Sequence, residues 1–208
     1  RNSRFTNTVE LFFAPKPHFR EVPYNLIAWQ HELKEIRGGV VLLLNEPGDI
    51  EVATKSGFRT APVQEVDGLP TLSSVLATTR RYSTSAVGFA NSDLLPGKGT
   101  GTILRQLLTM DTTLLRMYVT DSDLRQYDIQ RKPRDWLYIA SRREYDRIFT
   151  ESHIHMEGGV DFWFWNVHRT HHILGVHAII PPFRLGRPWF DNWLTATAMQ
   201  VGGRLVLD

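Results

Sequence analysis

Apolar residues recur along the first ninety positions in two alternating periods. Thr8 to Phe13 is rich in β-formers and runs into Ala14-Pro15-Lys16-Pro17, the pattern of a buried strand ending in a loop. From Val22 to Ile36, residues Leu26, Ile27, Trp29, Leu33 and Ile36 fall at helical spacing, and Gly38-Gly39 is read as the stop. Val40 to Leu44 is uninterrupted apolar sequence bounded by Gly39 and Asn45, as in a strand covered on both faces. A short helix is predicted over Ile50 to Lys55 and a β-like stretch over Ala61 to Val66. A helix over Leu69 to Tyr82 and a strand over Ala86 to Ala90 follow.

This alternation predicts an α/β fold with a mostly parallel central sheet flanked by helices. Ligands of such sheets bind beyond the carboxyl ends of the strands, so the loops Pro15 to His18, Asn45 to Asp49 and Asn91 to Asp93 are expected along one edge. The second half is less regular. Helices are predicted over Thr102 to Met110 and Asn192 to Met199, and strands over Leu114 to Val119, Trp136 to Ala140 and Leu205 to Leu207. The charged stretch Asp121 to Arg134 reads as a surface excursion. No repeat or linker interrupts the chain, so residues 1–208 are read as one domain, with a nucleotide-binding half (1–95) and an acceptor half (96–208).

Composition narrows the chemistry. The 208 residues are 42% hydrophobic and include six Trp, which fits a folded protein and excludes a disordered one. With 24 Lys and Arg against 22 Asp and Glu, the excess charge is too small for a general nucleic-acid binder. A small anion recognised by Arg forks fits better. The absence of Cys removes disulfides, thiolate nucleophiles and Cys-ligated zinc. No run approaches the ~20 apolar residues of a transmembrane helix. The chain opens on Arg1, as a processed product or an excised domain would.

Four groups of residues are candidates for chemistry. Asn91-Ser92-Asp93 follows an apolar strand, where a carboxylate can meet Mg2+ or Mn2+ bridging two phosphates. Taken alone it reads first as an Asx-turn. Asp161 stands among Phe162, Trp163, Phe164 and Trp165, where a carboxylate pays desolvation unless a partner compensates. Asp191, at the predicted start of the last helix, is either its N-cap or a functional acid. Arg80, Arg81, Arg184 and Arg187 are cations available to a diphosphate, or solvated surface residues. His153, His155, His168, His171 and His172 leave a His-ligated metallohydrolase open as an alternative. Asp121-Ser-Asp123 is read as surface loop.

The Asn91-Ser-Asp-Leu-Leu95 segment after a strand resembles the metal-binding motif of GT-A glycosyltransferases, in a form with Asn in place of the first acid. The runs Gly159 to Trp165 and Pro181 to Leu194 resemble two further motifs found together in a subset of these enzymes, including those of large algal viruses. The resemblance covers roughly Val9 to Leu194. It implies a GT-A fold, Rossmann-like, and metal-assisted, inverting transfer of a sugar from a nucleotide diphosphate donor, a UDP-sugar above all, to a glycan hydroxyl. It assigns Asp93 to Mn2+ or Mg2+ and Asp191 to the general base, with Asp161 as reserve and as a binder of sugar hydroxyls. Donor binding falls to Ala14, Pro15, Lys16, Glu46, Arg80, Asn91, Ser92, Asp93 and Arg187. Acceptor binding falls to Trp163, Trp189 and Asn192. An NDP-sugar nucleotidyltransferase is the alternative on the same fold, although Ala14-Pro15-Lys16-Pro17 lacks the glycine-rich loop of that class. The location implied is the cytoplasm, that of the host if the protein is viral.

Overall fold

The computed structural model describes residues 8–82, 84–109, 137–140, 143–145, 152–154, 161–166, 180–187 and 189–200. Its centre is a six-stranded sheet of β1 (Val9–Phe13), β2 (Gly39–Leu43), β3 (Arg59–Ala61), β6 (Ala86–Ala90), β7 (Leu137–Ala140) and β10 (Phe162–Asn166). Two small antiparallel pairs accompany it, β4 (Glu65–Val66) with β5 (Leu69–Pro70) and β8 (Arg143–Tyr145) with β9 (Ser152–Ile154). The helices are α1 (Tyr24–Lys34), α2 (Pro47–Lys55), α3 (Leu72–Thr79), α4 (Thr100–Thr109) and α5 (Phe190–Gln200), the last being the fifth described. Strand order is β3-β2-β1-β6-β10-β7, with β1, β2, β3 and β6 parallel and β10 antiparallel to both its neighbours. This is the α/β architecture with a mostly parallel sheet that the sequence predicts.

Every residue of β1, β2 and β6 is buried, because helices cover both faces. Leu11, Phe13, Leu42 and Phe164 face one way with Leu26, Leu33, Ala53 and Leu104 of α1, α2 and α4. Phe12, Val87, Phe89, Trp163 and Trp165 face the other way with Val75, Leu76, Phe190 and Leu194 of α3 and α5. The period of two in each strand thus divides one sheet between two apolar layers. Among the described residues no helix is long and apolar enough to cross a membrane.

Three local expectations are corrected. Helix α1 stops at Lys34, and Arg37 takes the left-handed turn at φ 54°, while Gly38 N–H closes on the Leu33 carbonyl at 2.8 Å. Gly39 belongs to β2. The predicted helix over Leu69 to Tyr82 begins only at Leu72, because Asp67 and Gly68, at φ 52° and 70°, turn a β-hairpin that contains Leu69 and Pro70. The last helix opens at Phe190, two residues before the predicted start. The predicted strands at 114–119 and 205–207 and the excursion at 121–134 lie outside the described residues.

Gly88 has a structural reason. A Cβ there would meet the Trp163 carbonyl oxygen at 2.7 Å and Leu11 Cδ2 at 2.5 Å, the first a backbone atom of the neighbouring strand. Gly88→Ala is therefore expected to lower unfolding free energy by about 1–3 kcal/mol, as overpacking does. Urea denaturation followed by Trp fluorescence measures it, and an unchanged midpoint would contradict the packing described.

Candidate functional site

The strand order places a topological switch at β1 and β6. From β1 the chain moves outward through β2 and β3, then returns to the other side of β1 as β6. In open α/β sheets the ligand crevice lies at the carboxyl edge of such a switch. Here that edge carries the loop beginning at Ala14 and the loop beginning at Asn91, because Phe13 is in register with Ala90.

The third member comes from β10. Running antiparallel, β10 enters the sheet at the edge where β6 leaves it, with Phe162 opposite Ala90. Asp161 thereby stands opposite Asn91. The Asn91 N–H donates to the Asp161 carbonyl oxygen at 3.0 Å, and Asn91 Nδ2 donates to Asp161 Oδ1 at 2.5 Å. By strand alternation, Ala14, Asn91 and Asp161 form a row across β1, β6 and β10 on the face packed by α3 and α5. Asp161 is only 7% exposed, and the Asn91 amide is a compensating partner of the kind a buried carboxylate requires.

Side chains outside the motif fix the loop after β6. Asn25 Nδ2 donates to the Ser92 and Leu94 carbonyls, and Trp29 Nε1 donates to Leu94 at 3.0 Å. These α1 residues were legible only as helix positions. The loop after β1 is fixed likewise, since the His18 N–H, at φ 65°, donates to Oδ2 of buried Asp49 in the first turn of α2 at 2.8 Å. The loops at 15–18 and 45–49 are thus joined to each other, and the loop at 91–93 is held by α1. Asn45 bonds the Val63 carbonyl and Glu65, tying β2 to the hairpin.

Helices α1, α2 and α3 each start at this edge, and only α2 has an acid, Asp49, in its first turn. The dipoles of α1 and α2 favour an anion at this edge, whereas the first N–H groups of α3 are taken by the Phe183 carbonyl and by Thr71 Oγ1. Lys16, Glu46 and Asp93 are exposed here, while Ala14, Pro15 and Ser92 are partly buried.

The motif at 181–194 has a packing role as well. Leu72 N–H bonds the Phe183 carbonyl, Leu185 N–H bonds the Pro70 carbonyl, and Arg184 pairs with Asp67 of the hairpin turn. This antiparallel contact docks the start of α5 on the start of α3, and Phe190 lies 5.6 Å from Trp163, ring to ring. Asp191, in the first turn of α5, directly follows Phe190. Its Oδ1 accepts the Asn192 N–H at 2.9 Å, whereas Trp189, not Asp191, supplies the carbonyl that starts the helix. Trp189 is 70% exposed with φ 84°, a conformation that costs a bulky side chain energy. Asn192 and Arg187 are exposed.

Two assigned residues do not join this edge. Helix α3 runs antiparallel to the strands, so Arg80 at its C-terminus lies where β6 begins, at the opposite edge from Asn91. Trp163 is fully buried, with its ring between Phe89 and Phe190, and offers no surface to an acceptor. Its aromatic run is core because β10 is covered on both faces.

Among the described residues no group of three or more His, Asp or Glu is arranged to hold a metal. Asp93, exposed in the loop after β6, is the carboxylate of that loop that a divalent cation would meet. His155, His168, His171, His172, Asp121 and Asp123 lie outside the described residues, as does the side chain of His153.

No family model and no curated protein matches this chain. Among solved structures, a Desulfovibrio desulfuricans G20 protein assigned to the nucleotide-diphospho-sugar transferases is similar over 98% of this chain and 80% of its own, at 12% identity and TM-score 0.47. The synthetase of CMP:2-keto-3-deoxy-manno-octonic acid, solved with CTP, is similar over 97% of this chain and 90% of its own, at 8% identity and TM-score 0.42.

Proposed function

We propose that the protein transfers a sugar from a nucleotide diphosphate donor to a hydroxyl of a glycan. The observation that carries this reading is the joining of the Asn91-Ser-Asp93 loop to Asp161 at the switch point of the sheet, beside the N-termini of α1 and α2. The N-termini of α1 and α2 bind phosphate oxygens. Asp93 contributes the carboxylate to Mn2+ or Mg2+, which when bound neutralises charge on the departing diphosphate. Asp161 accepts hydrogen bonds from sugar hydroxyls, Asp191 takes the proton of the attacking hydroxyl, and exposed Trp189 offers an aromatic face to the acceptor. Ala14, Pro15 and Lys16 line the nucleoside end, with Glu46 within the same edge.

Calorimetric titration of UDP into the protein, with and without Mn2+, tests this first. Saturable binding is expected only with Mn2+. Asp93→Ala removes a charged contact worth about 1.5–3 kcal/mol, which is roughly tenfold or more in affinity. If neither UDP nor GDP binds with the metal present, the reading falls. Given binding, release of UDP from a UDP-sugar with a glycan acceptor identifies the transferase, and release of pyrophosphate from a nucleoside triphosphate identifies a nucleotidyltransferase instead.

A further inference from the structure

We propose that Asn91 is a positioning residue whose amide holds Asp161 in place, and that this is the reason the loop carries an amide at its first position and a carboxylate only at Asp93. The inference rests on the transferase reading only for what Asp161 then binds.

The geometry is a two-point clamp. Directly opposed residues in an antiparallel pair project from the same face of the sheet. The backbone bond from Asn91 to Asp161 extends the β6–β10 ladder by one residue, so the two side chains start as neighbours. The second bond, from Nδ2 to Oδ1, then selects the orientation of a carboxylate that is 7% exposed. An amide suits this position because it donates, and an ionised carboxylate accepts only. An Asp in the same place would put two carboxylates at hydrogen-bonding distance, an arrangement that needs a proton or a cation between them. The structure therefore divides the labour of the edge. Asp161 is buried and bonded to Asn91, and Asp93 is exposed at the edge of the sheet.

Asn91→Asp is nearly isosteric and tests the clamp without any donor. In EDTA its thermal midpoint should fall by about 3 °C or more below that of the unaltered protein, a change of roughly 1 kcal/mol for a chain of this size. Millimolar Mn2+ should restore it, while leaving the midpoint of the unaltered protein unmoved in the absence of nucleotide. An Asn91→Asp midpoint indifferent to EDTA and Mn2+ would overturn the proposal.

Asn91→Ala supplies the second readout. It is read as a ratio, the affinity for a UDP-sugar over that for UDP, each measured with Mn2+. The additional affinity for a UDP-sugar over UDP should be lost. Loss of UDP binding itself would place Asn91 on the phosphates or the cation and end the positioning role. Should the unaltered protein bind no nucleotide diphosphate while Asn91→Asp shows its metal-dependent midpoint, the clamp stands and the transferase reading fails.

Discussion

Asp191→Asn is expected to lower turnover of a UDP-sugar onto a glycan acceptor by about 10²–10⁴-fold, the usual worth of a positioned general base. The substitution keeps the shape of the first turn of α5, since an amide oxygen still accepts the Asn192 N–H that Asp191 Oδ1 accepts now. What it removes is the capacity to take a proton. The loss should therefore appear in kcat, with the affinity for UDP and Mn2+ and the thermal midpoint unchanged. Steady-state kinetics beside calorimetry separate these. Asp161→Asn makes the control, because Asp161 is the other acid assigned to the chemistry. If the loss of kcat follows Asp161 and Asp191→Asn turns over normally, the roles of the two are exchanged. If neither substitution lowers kcat, both assignments are wrong.

The parallel half of the fold was legible because each element carries its own period. The continuous apolar runs Val40 to Leu44 and Ala86 to Ala90 announce strands buried on both faces, and β2 and β6 lie there. The site was legible in part for the same reason, since a loop after a parallel strand lies at a known edge. What stayed hidden depends on direction and distant pairing. Nothing local in Phe162 to Trp165 says that this strand runs against its neighbours, yet that direction is what carries Asp161 to Asn91. The same blindness misplaced Arg80, which is close to β6 in sequence but lies at the wrong end because α3 runs opposite to the strand. The resemblance assigns Trp163 to acceptor binding, yet aromatic residues serve cores and ligands equally well, and only burial distinguishes the uses. The Asp67-Gly68 turn was missed although Asp-Gly is a strong hairpin signal, because the apolar spacing after it was read through to Leu69.

Arg59→Met should destabilise the protein by about 2 kcal/mol at neutral pH and by progressively less as the pH is lowered. Glu10 lies in the middle of the sheet on β1, 5% exposed, and its carboxylate pairs with Arg59 of β3 across the intervening strand. Burial raises the Glu10 pKa above its usual value of 4.5, and the hydrogen bond and charge of Arg59 pull it partly back. Removing the guanidinium leaves the burial cost unopposed. Breaking a fully buried pair costs about 3–5 kcal/mol; Arg59 is 51% exposed, so solvent already shares its charge and the smaller figure applies. The sign follows from the raised value. A carboxyl that holds its proton more tightly folded than unfolded contributes most below its unfolded pKa, and that contribution is lost as pH rises through the folded one. The variant raises the folded value further, and the two proteins share the unfolded one, so its deficit opens only as the pH rises past the folded value of the unaltered protein, itself above 4.5, and is absent below it. Gly39 lies between the partners, and a Cβ there would strike the Arg59 guanidinium. Gly39→Ala should therefore weaken the same pair, and combined with Arg59→Met it should cost less than the sum of the two. Thermal midpoints of the four proteins from pH 4 to 8 test this. Additive losses, or a deficit for Arg59→Met that does not shrink toward low pH, would show that Arg59 acts by packing and not through the Glu10 carboxylate.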